Sequence, residues 1–400
     1  MYRLLLIKRV MENILMFPFI LLGRIISYFS PLEKEYEIYF FFPFYHTGGA
    51  EKVHAQIAKA CGNKNCIIFF TRKSQNDTFY ALFQETQCTI KDISIFTDNK
   101  FQYFNNIIFR GIITGYINRQ KAKPIVFNGQ CNFGYKISPW VKKTVPQIEL
   151  IHSLNSFSYI RIPFIPFYCK TVMISKKRIE DHFALYERMK IPSYFKERIV
   201  YISNAVKFNP IDIQRKPFNP IRVLFSGRGS SEKRLHLFTD IATGVHKQNQ
   251  SIVFEIMGDV AEFVEPPKYP FIIFYGEQKE ATVINRIYQQ ATILLLTSST
   301  EGFPMVIIEA MANACAILST PVGDIPYHIK PEVNGFLFTD VDDEQKIITE
   351  GVNYILTLAK NNELLKTMAE NNSQYAESHF SIQKFNQAYR QLFDQVKINP

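Results

Sequence analysis

The sequence predicts an α/β protein with mostly parallel sheets in two domains, and three observations carry that prediction. Short apolar runs, among them EIYFFFP (37–43), NCIIFFT (65–71), PIVFNG (124–129) and QIELIHS (147–153), alternate with helical or irregular connections, the pattern of strands covered on both faces. The chain has 400 residues, too many for one ordinary core at roughly 100 to 200 per domain. A polar, proline-bearing stretch, IDIQRKPFNP (211–220), reads as a linker and places the boundary near residue 215.

Composition narrows the function classes. Apolar residues make up 47% of the chain, ample for buried sheets. Cysteines at 61, 66, 88, 131, 169 and 315 include no C-x-x-C pair, so they read as reduced core thiols of a cytosolic protein. The formal charge of +10 is uneven: from Lys100 to Pro220 there are twenty Lys or Arg against six Asp or Glu. Such a region suits an anionic membrane surface, a phosphorylated acceptor or nucleic acid, with a plain solvated basic surface as the alternative. No helix-turn-helix, RNP or zinc-finger pattern accompanies the charge, which argues against nucleic acid.

Residues 1–30 are apolar and basic, with Arg3, Lys8, Arg9 and Arg24 around the run ILMFPFILL (14–22). The longest uncharged run, Asn13 to Gly23, falls short of the roughly 20 residues that span a bilayer, and Pro18 interrupts it. No A-x-A-like cleavage site follows. The expectation is an in-plane membrane-surface anchor; a helix packed on its own protein and a membrane span are the other readings.

The first domain is expected over 31–215. Its first strand runs into FYHTGGAEK and a helix from about Ala50 to Cys61. Gly48 and Gly49 there allow either close approach of a ligand or a plain tight turn. Strands recur at KTVMIS (170–175) and RIVYIS (198–203). His152 ends a strand, where ligands collect in such sheets, although a capping or core histidine fits the same position.

The second domain is expected over 216–380 and opens with IRVLFSGRGSSEKRLHLF. Arg228 and Lys233 beside a glycine-bearing strand-to-helix turn form the cation pair a diphosphate needs, the Arg forking onto two oxygens and the Lys adding a compact charge. Strands SIVFEIMGD (251–259) and PFIIFYGEQ (270–278) follow. The run Ile293–Leu296 then empties into the loop 297–302, and a helix starts at Pro304, where free N–H groups favour an anion. Glu309 lies among apolar neighbours in that helix and needs a partner; Glu301 before it suits the helix dipole. Asp340 and Asp342 make a D-x-D before another helix, but read as caps, so no metal is assigned. Residues 381–400 form a last helix with the apolar stripe Phe385, Tyr389, Leu392, Phe393 and Val396, expected to pack back on the first domain.

The stretch from Glu301 to Gly323 resembles the E-x7-E signature of retaining, nucleotide-sugar-dependent glycosyltransferases of family 4. Glu301, Gly302, Phe303, Pro304, Val306, Glu309, Ala310, Met311, Ala312, Thr320 and Gly323 fall on matching positions. G-G-A-E at 48–51, S-N-A-V at 203–206, G-R…K at 227–233 and N-G-x-L at 334–337 are similar to further segments of that family. Two departures stand out, Arg234 where glycine is usual and the absence of an acid after Gly323–Asp324.

The resemblance implies two Rossmann-like domains facing across a cleft, the GT-B arrangement, and transfer of a sugar from a nucleoside diphosphate to a hydroxyl of a glycan or lipid-linked acceptor. It places Arg228 and Lys233 on the diphosphate, Glu301 and His152 at the reacting sugar, and Glu309 on the ribose. Gly48, Gly49, Gly258, Asp259, Gly276, Gly302, Phe303, Pro304, Met305 and Val306 are implied to line the donor site. No cofactor or metal is expected beyond the donor. A cytoplasmic protein, peripheral on the inner membrane face and building cell-surface polysaccharide or lipopolysaccharide, fits this reading. A non-catalytic glycan- or partner-binding protein and a sugar-nucleotide epimerase or hydrolase are the alternatives.

Overall fold

The computed structural model describes residues 1–400 except 47, 63, 100–102, 153–155, 209–210 and 399–400. The chain divides into two compact units, Met1–Ser203 with Phe385–Pro400, and Asn204–Lys384.

The first unit is built on a seven-stranded parallel sheet of order β3-β2-β1-β4-β5-β6-β7. The strands are β1 (Ile38–Phe42), β2 (Cys66–Phe70), β3 (Thr89–Asp92), β4 (Ile125–Asn128), β5 (Gln147–Ile151), β6 (Lys170–Met173) and β7 (Ile199–Tyr201). IYFFF, CIIFF and QIELI are buried along their whole length, as strands covered on both faces must be. β3 escapes a sequence reading because TIKD is a short, largely exposed edge strand with a single large apolar residue, Ile90. The second unit holds a six-stranded parallel sheet, β10-β9-β8-β11-β12-β13. Its strands are β8 (Arg222–Ser226), β9 (Val253–Met257), β10 (Ile272–Gly276), β11 (Ile293–Leu296), β12 (Ala316–Ser319) and β13 (Gly335–Leu337).

Both sheets change winding direction at their first strand. β1 lies between β2 and β4, and β8 lies between β9 and β11. Loops at the carboxyl ends on either side of such a switch diverge and leave a crevice, the usual ligand position in this architecture. G-G-A-E follows β1, G-R…K follows β8, and the Glu301 loop follows β11.

The last helix, Ile382–Ile398, buries Phe385, Tyr389, Leu392, Phe393 and Val396. Phe393 meets Phe40 and Phe127 at 6.3 and 5.9 Å between ring centres, so residues 385–398 complete the core of the first unit. Lys397 adds an ion pair to Glu37 at 2.6 Å.

The N-terminal segment is one helix, Tyr2–Phe29, laid against the helix Tyr103–Arg119. Glycines let the two backbones touch. A Cβ at Gly23 would sit 2.0 Å from the Ile108 carbonyl oxygen, and one at Gly111 would sit 2.2 Å from that of Ile20. Ile20, Gly23 and Ser27 are buried by this packing and Tyr2 by a cluster with Ile162, Ile165 and Leu185, while Leu4, Ile7, Ile14, Leu15 and Phe29 stay exposed. The helix is therefore packed on its own protein and still presents an apolar face. Among the described residues no helix is long and apolar enough to cross a membrane.

The glycine contact yields a prediction. Gly111→Val forces the helices apart and should cost about 1–3 kcal/mol, the range for overpacking, seen as a lower melting temperature and faster proteolysis within residues 1–30. An unchanged melting temperature and cleavage rate contradicts the close packing.

Candidate functional site

In the second unit, the carboxyl ends of β8, β9 and β10 are pressed together at Gly227, Gly258 and Gly276. Gly258 has φ +147°, and a Cβ there would fall 1.9 Å from the Gly227 carbonyl oxygen, so only glycine fits. Gly227 N–H donates to Met257 O at 3.0 Å, and Gly258 N–H donates to Gly276 O at 2.9 Å. Asp259, in the loop just beyond, is exposed, and its carbonyl accepts from Gly229 N–H. Arg228 is exposed beside this turn.

Lys233 ends a short 3-10 turn, and its ammonium lies 2.5 Å from the Glu301 carboxylate, with the two side chains 16% and 11% exposed. The sequence reading assigned these two residues to different parts of one ligand; the structure brings them into direct contact. At 4 Å such a pair is worth about 4 kcal/mol of Coulomb energy at an effective dielectric of 20, before desolvation is subtracted.

Arg234, the first departure from the family pattern, explains how the two loops are held. Its backbone is left-handed, φ 46° and ψ 53°, which is why glycine suits the position and why an arginine there carries a conformational cost. The side chain is buried, and its guanidinium donates to the carbonyls of Thr297, Ser298 and Val341 at 2.8, 3.2 and 2.5 Å. Thr297 Oγ1 in turn lies 3.0 and 3.1 Å from the carbonyl oxygens of Lys233 and Arg234. Three bonds from a charged donor, at about 1.5–3 kcal/mol each, outweigh a left-handed cost of about 1–2 kcal/mol.

The Glu301 loop is fixed from its other side by Gly323. A Cβ there would lie 2.1 Å from Gly302 O and 2.5 Å from Glu301 O, and Asp324 N–H donates to Gly302 O at 2.8 Å. Helix Met305–Ala312 follows, with Pro304 as N-cap and no side-chain cap bond, so its first N–H groups are offered without a built-in acceptor side chain. Met305 and Val306 are half-buried at this start. The ring of Phe303 is 4% exposed and packs on His328 and Phe380 at 4.2 and 5.3 Å, so it anchors the loop in the core.

Glu309 finds its partner in Tyr288. The tyrosine hydroxyl lies 3.1 Å from Glu309 Oε2 and 2.9 Å from Ser226 Oγ. A carboxylate only accepts and a phenol has one proton, so Tyr288 donates to Glu309 and accepts from Ser226. Burial together with the Glu309 charge pushes the Tyr288 phenol well up, keeping it protonated as that donor. Asp340 Oδ1 accepts from the N–H groups of Asp342 and Asp343, and Asp343 caps the helix Glu344–Lys360.

In the first unit, Gly48 is the N-cap of the helix Gly49–Ala60; a Cβ there would meet Glu51 Oε2 at 2.2 Å, whereas Gly49 faces open space. His152 follows β5, and its Nε2 lies 3.0 Å from His54 Nε2 on that helix. Desolvation pushes His152 down to about 4, and desolvation together with His152 pushes His54 well below the ordinary histidine value. Both rings are neutral at pH 7, one donating to the other. Three residues before His152, buried Glu149 pairs with buried Arg161, which also donates to the Tyr186 hydroxyl at 3.0 Å. The pair ties β5 to the residue that follows the helix Ser156–Ile160.

The sequence reading missed three residues. His54 sits in an otherwise apolar helical face and is 98 positions from its partner. Tyr288 looks like core, and Arg234 was seen only as a departure. Gly48, Gly49 and His152 belong to the first unit; the other site residues belong to the second.

Residues 208–375 match the family described as glycosyl transferases group 1. The chain is 26% identical over 251 residues to a lipopolysaccharide 1,6-galactosyltransferase of Salmonella typhimurium, an alignment covering 52% of this chain and 66% of that one. It is 23% identical to an uncharacterized 41.2 kDa protein in the cps region of Klebsiella pneumoniae, covering 61% of this chain and 65% of that one. The matches thus span slightly less than two thirds of these relatives. Among solved structures, Anabaena Alr3699/HepE in complex with UDP aligns with a TM-score of 0.71 at 17% identity, over 90% of this chain and 100% of that one. The apo form of the lipopolysaccharide outer core galactosyltransferase WaaB aligns with a TM-score of 0.66 at 21% identity, over 90% and 99%. The fold is that of GT-B glycosyltransferases, two parallel-sheet α/β domains.

Two predictions follow from the geometry. Arg234→Gly relieves the left-handed strain but loses the three bonds, while Arg234→Ala keeps the strain and loses them too. Melting temperatures should therefore rank wild type above Gly above Ala, and a glycine variant as stable as wild type contradicts the clamp. His54 and His152 bind protons more weakly folded than unfolded, so stability is full above pH 6.5 and falls as the pH drops from 6.5 towards about 4. His152→Gln should flatten that part of the stability–pH curve, and an unaltered curve contradicts the assigned burial.

Proposed function

We propose that this chain is a retaining glycosyltransferase of family 4 that moves a sugar from a nucleoside diphosphate to a hydroxyl of a glycan or lipid-linked acceptor, in lipopolysaccharide or other cell-surface polysaccharide synthesis. The observation that carries the reading is the Lys233–Glu301 pair, held at the carboxyl ends of β8 and β11 beside an uncapped helix start. A cation, an acid and free N–H groups in one place are what a sugar diphosphate needs. The UDP-bound Anabaena structure makes a uridine diphosphate sugar the first donor to test.

In this reading the diphosphate draws Lys233 away from Glu301, and Arg228 closes on it from its exposed position. As the bond from the anomeric carbon to the diphosphate oxygen breaks, these cations and the N–H groups at Met305 and Val306 offset the charge growing on the leaving group. Glu301 accepts from donor-sugar hydroxyls. Glu309, oriented by Tyr288, accepts from the ribose. Neutral His152, held by its contact with His54, contacts the reacting sugar. The acceptor oxygen bonds to the anomeric carbon on the face the diphosphate leaves, and its proton passes to the departing phosphate oxygen. Retention follows from that same-face geometry, and no carboxylate acts as nucleophile.

The exposed apolar face of the Tyr2–Phe29 helix, with Arg3 and Lys8 beside it, is assigned to an anionic membrane surface at which a lipid-linked acceptor is met. Each basic residue near that surface adds about 1 kcal/mol. The double variant Ile14→Glu with Leu15→Glu should abolish flotation with phosphatidylglycerol vesicles; unchanged flotation removes the membrane assignment.

The donor reading is checked by a melting-temperature panel with UDP-, GDP-, ADP- and TDP-sugars. A true donor at 100 times its Kd adds about 2.7 kcal/mol of stability. One nucleotide class should stabilise the wild type and lose its effect in Arg228→Ala. No response to any class, in a protein that folds normally, favours a non-catalytic binding protein on this fold.

A further inference from the structure

The first unit contains a pocket of 260 Å³ whose walls include Arg72, Asp98, Asn106, Arg110, Asn132 and Lys136. Arg72 follows β2, Arg110 lies within the helix Tyr103–Arg119, and Lys136 is on the short helix Asn132–Ile137 after β4. Three chain segments thus bring three cations to one cavity at the carboxyl edge of the sheet. Two of these charges are matched: Arg72 meets Asp98 at 3.3 Å, and Lys136 meets Glu12 at 3.2 Å. Arg110 has no carboxylate at ion-pair distance among the described residues. Its Nε donates to Asn106 Oδ1 at 2.9 Å, and one terminal nitrogen lies 3.4 Å from the Met16 sulfur. It is nevertheless only 5% exposed. Burial holds its guanidinium below the ordinary arginine value, although a hydrogen bond to the Tyr103 side chain and the more distant Glu12 charge act the other way, so its charge is only partly compensated.

A buried cation whose carboxylate neighbour, Glu12, is already paired with Lys136 is under-compensated, and a pocket at its side supplies room for a further anion. We propose that this pocket binds the phosphate group of a phosphomonoester or phosphodiester, with Arg110 as its principal charge partner and Lys136 and Arg72 at its rim. A tetrahedral oxyanion offers oxygens in several directions, matching cations that arrive from three elements; a planar carboxylate would be met by one guanidinium fork. The amides of Asn106 and Asn132 supply neutral hydrogen-bonding groups in the same wall. The pocket takes the phosphate from a lipid headgroup or from a soluble phosphorylated sugar or polyol. Only the identification of that phosphate as part of the acceptor rests on the glycosyltransferase reading.

The test uses the full chain in chloride buffer, titrated with glycerol 1-phosphate and, separately, floated with vesicles of phosphatidylglycerol in phosphatidylcholine. Glycerol 1-phosphate should raise the wild-type melting temperature saturably beyond matched ionic strength of sodium chloride. Arg110→Gln should weaken that binding at least tenfold, and Lys136→Gln severalfold. In phosphate-free buffer Arg110→Gln should melt at or above the wild type, because an under-compensated buried charge has gone, whereas a merely structural arginine would give a lower melting temperature. Loss of vesicle flotation in Arg110→Gln identifies the lipid source; loss of only the soluble response identifies the soluble one. A wild type that responds no more than to salt, or an Arg110→Gln protein that melts lower and binds glycerol 1-phosphate as well as the wild type, overturns the proposal. Should Arg110→Gln fail to fold, Lys136→Gln decides alone, and an unweakened response there overturns it. UDP stabilisation, measured in parallel, is expected unchanged in both variants, so failure of the phosphate site and failure of the donor reading give different results.

Discussion

The ion pair between Lys233 and Glu301 is the contact on which the donor chemistry proposed for the second unit depends. Neither partner is well exposed, so each charge needs the other while no ligand is present. Everything around the pair holds its two loops at that spacing. Arg234 bonds the loop after β8 to the carbonyls of the loop after β11, Thr297 answers from the other side, and Gly323 lets the Glu301 and Gly302 carbonyls approach where any side chain would collide. In the proposed reading a diphosphate entering such a site exchanges one counter-charge on Lys233 for another. That exchange discriminates: an uncharged ligand offers Lys233 nothing in place of Glu301.

The first unit works by a different principle. The paired His54 and His152 are desolvated and neutral, so they offer hydrogen bonds and no charge near pH 7. The buried Glu149–Arg161 pair beneath them is of the kind that fixes geometry more than it adds stability, since removing one partner alone costs about 3–5 kcal/mol. The N-terminal helix is held by glycine-mediated backbone contact with Tyr103–Arg119, which leaves its outer apolar face exposed.

What was legible in the sequence followed chemistry that is local along the chain. Fully buried parallel strands such as IYFFF and ILLL announce themselves as apolar runs, and the turns after β8 and β11 carry glycine, cation and acid within a few residues. What was not legible depends on distance or disguise. The edge strand TIKD has too little apolar content to register. His54 and His152 lie in different elements, Tyr288 is indistinguishable from a core aromatic, and Arg234 in a left-handed backbone looks like a defect until its three carbonyl acceptors are seen. Phe303 shows that a place inside a motif does not say where a side chain goes, since its ring serves the core. The N-terminal segment was open between anchor and packed helix because one helix has two faces and composition does not assign them.

Whether a donor diphosphate takes Lys233 over from Glu301 is decided by a double-mutant cycle on Lys233→Gln and Glu301→Gln, with stability measured in the absence and the presence of saturating UDP. The account predicts a favourable coupling of about 1–3 kcal/mol between the two residues in the ligand-free protein that shrinks towards zero when UDP is bound. A coupling of the same size in both conditions would contradict it, leaving the pair a structural contact that the ligand does not enter.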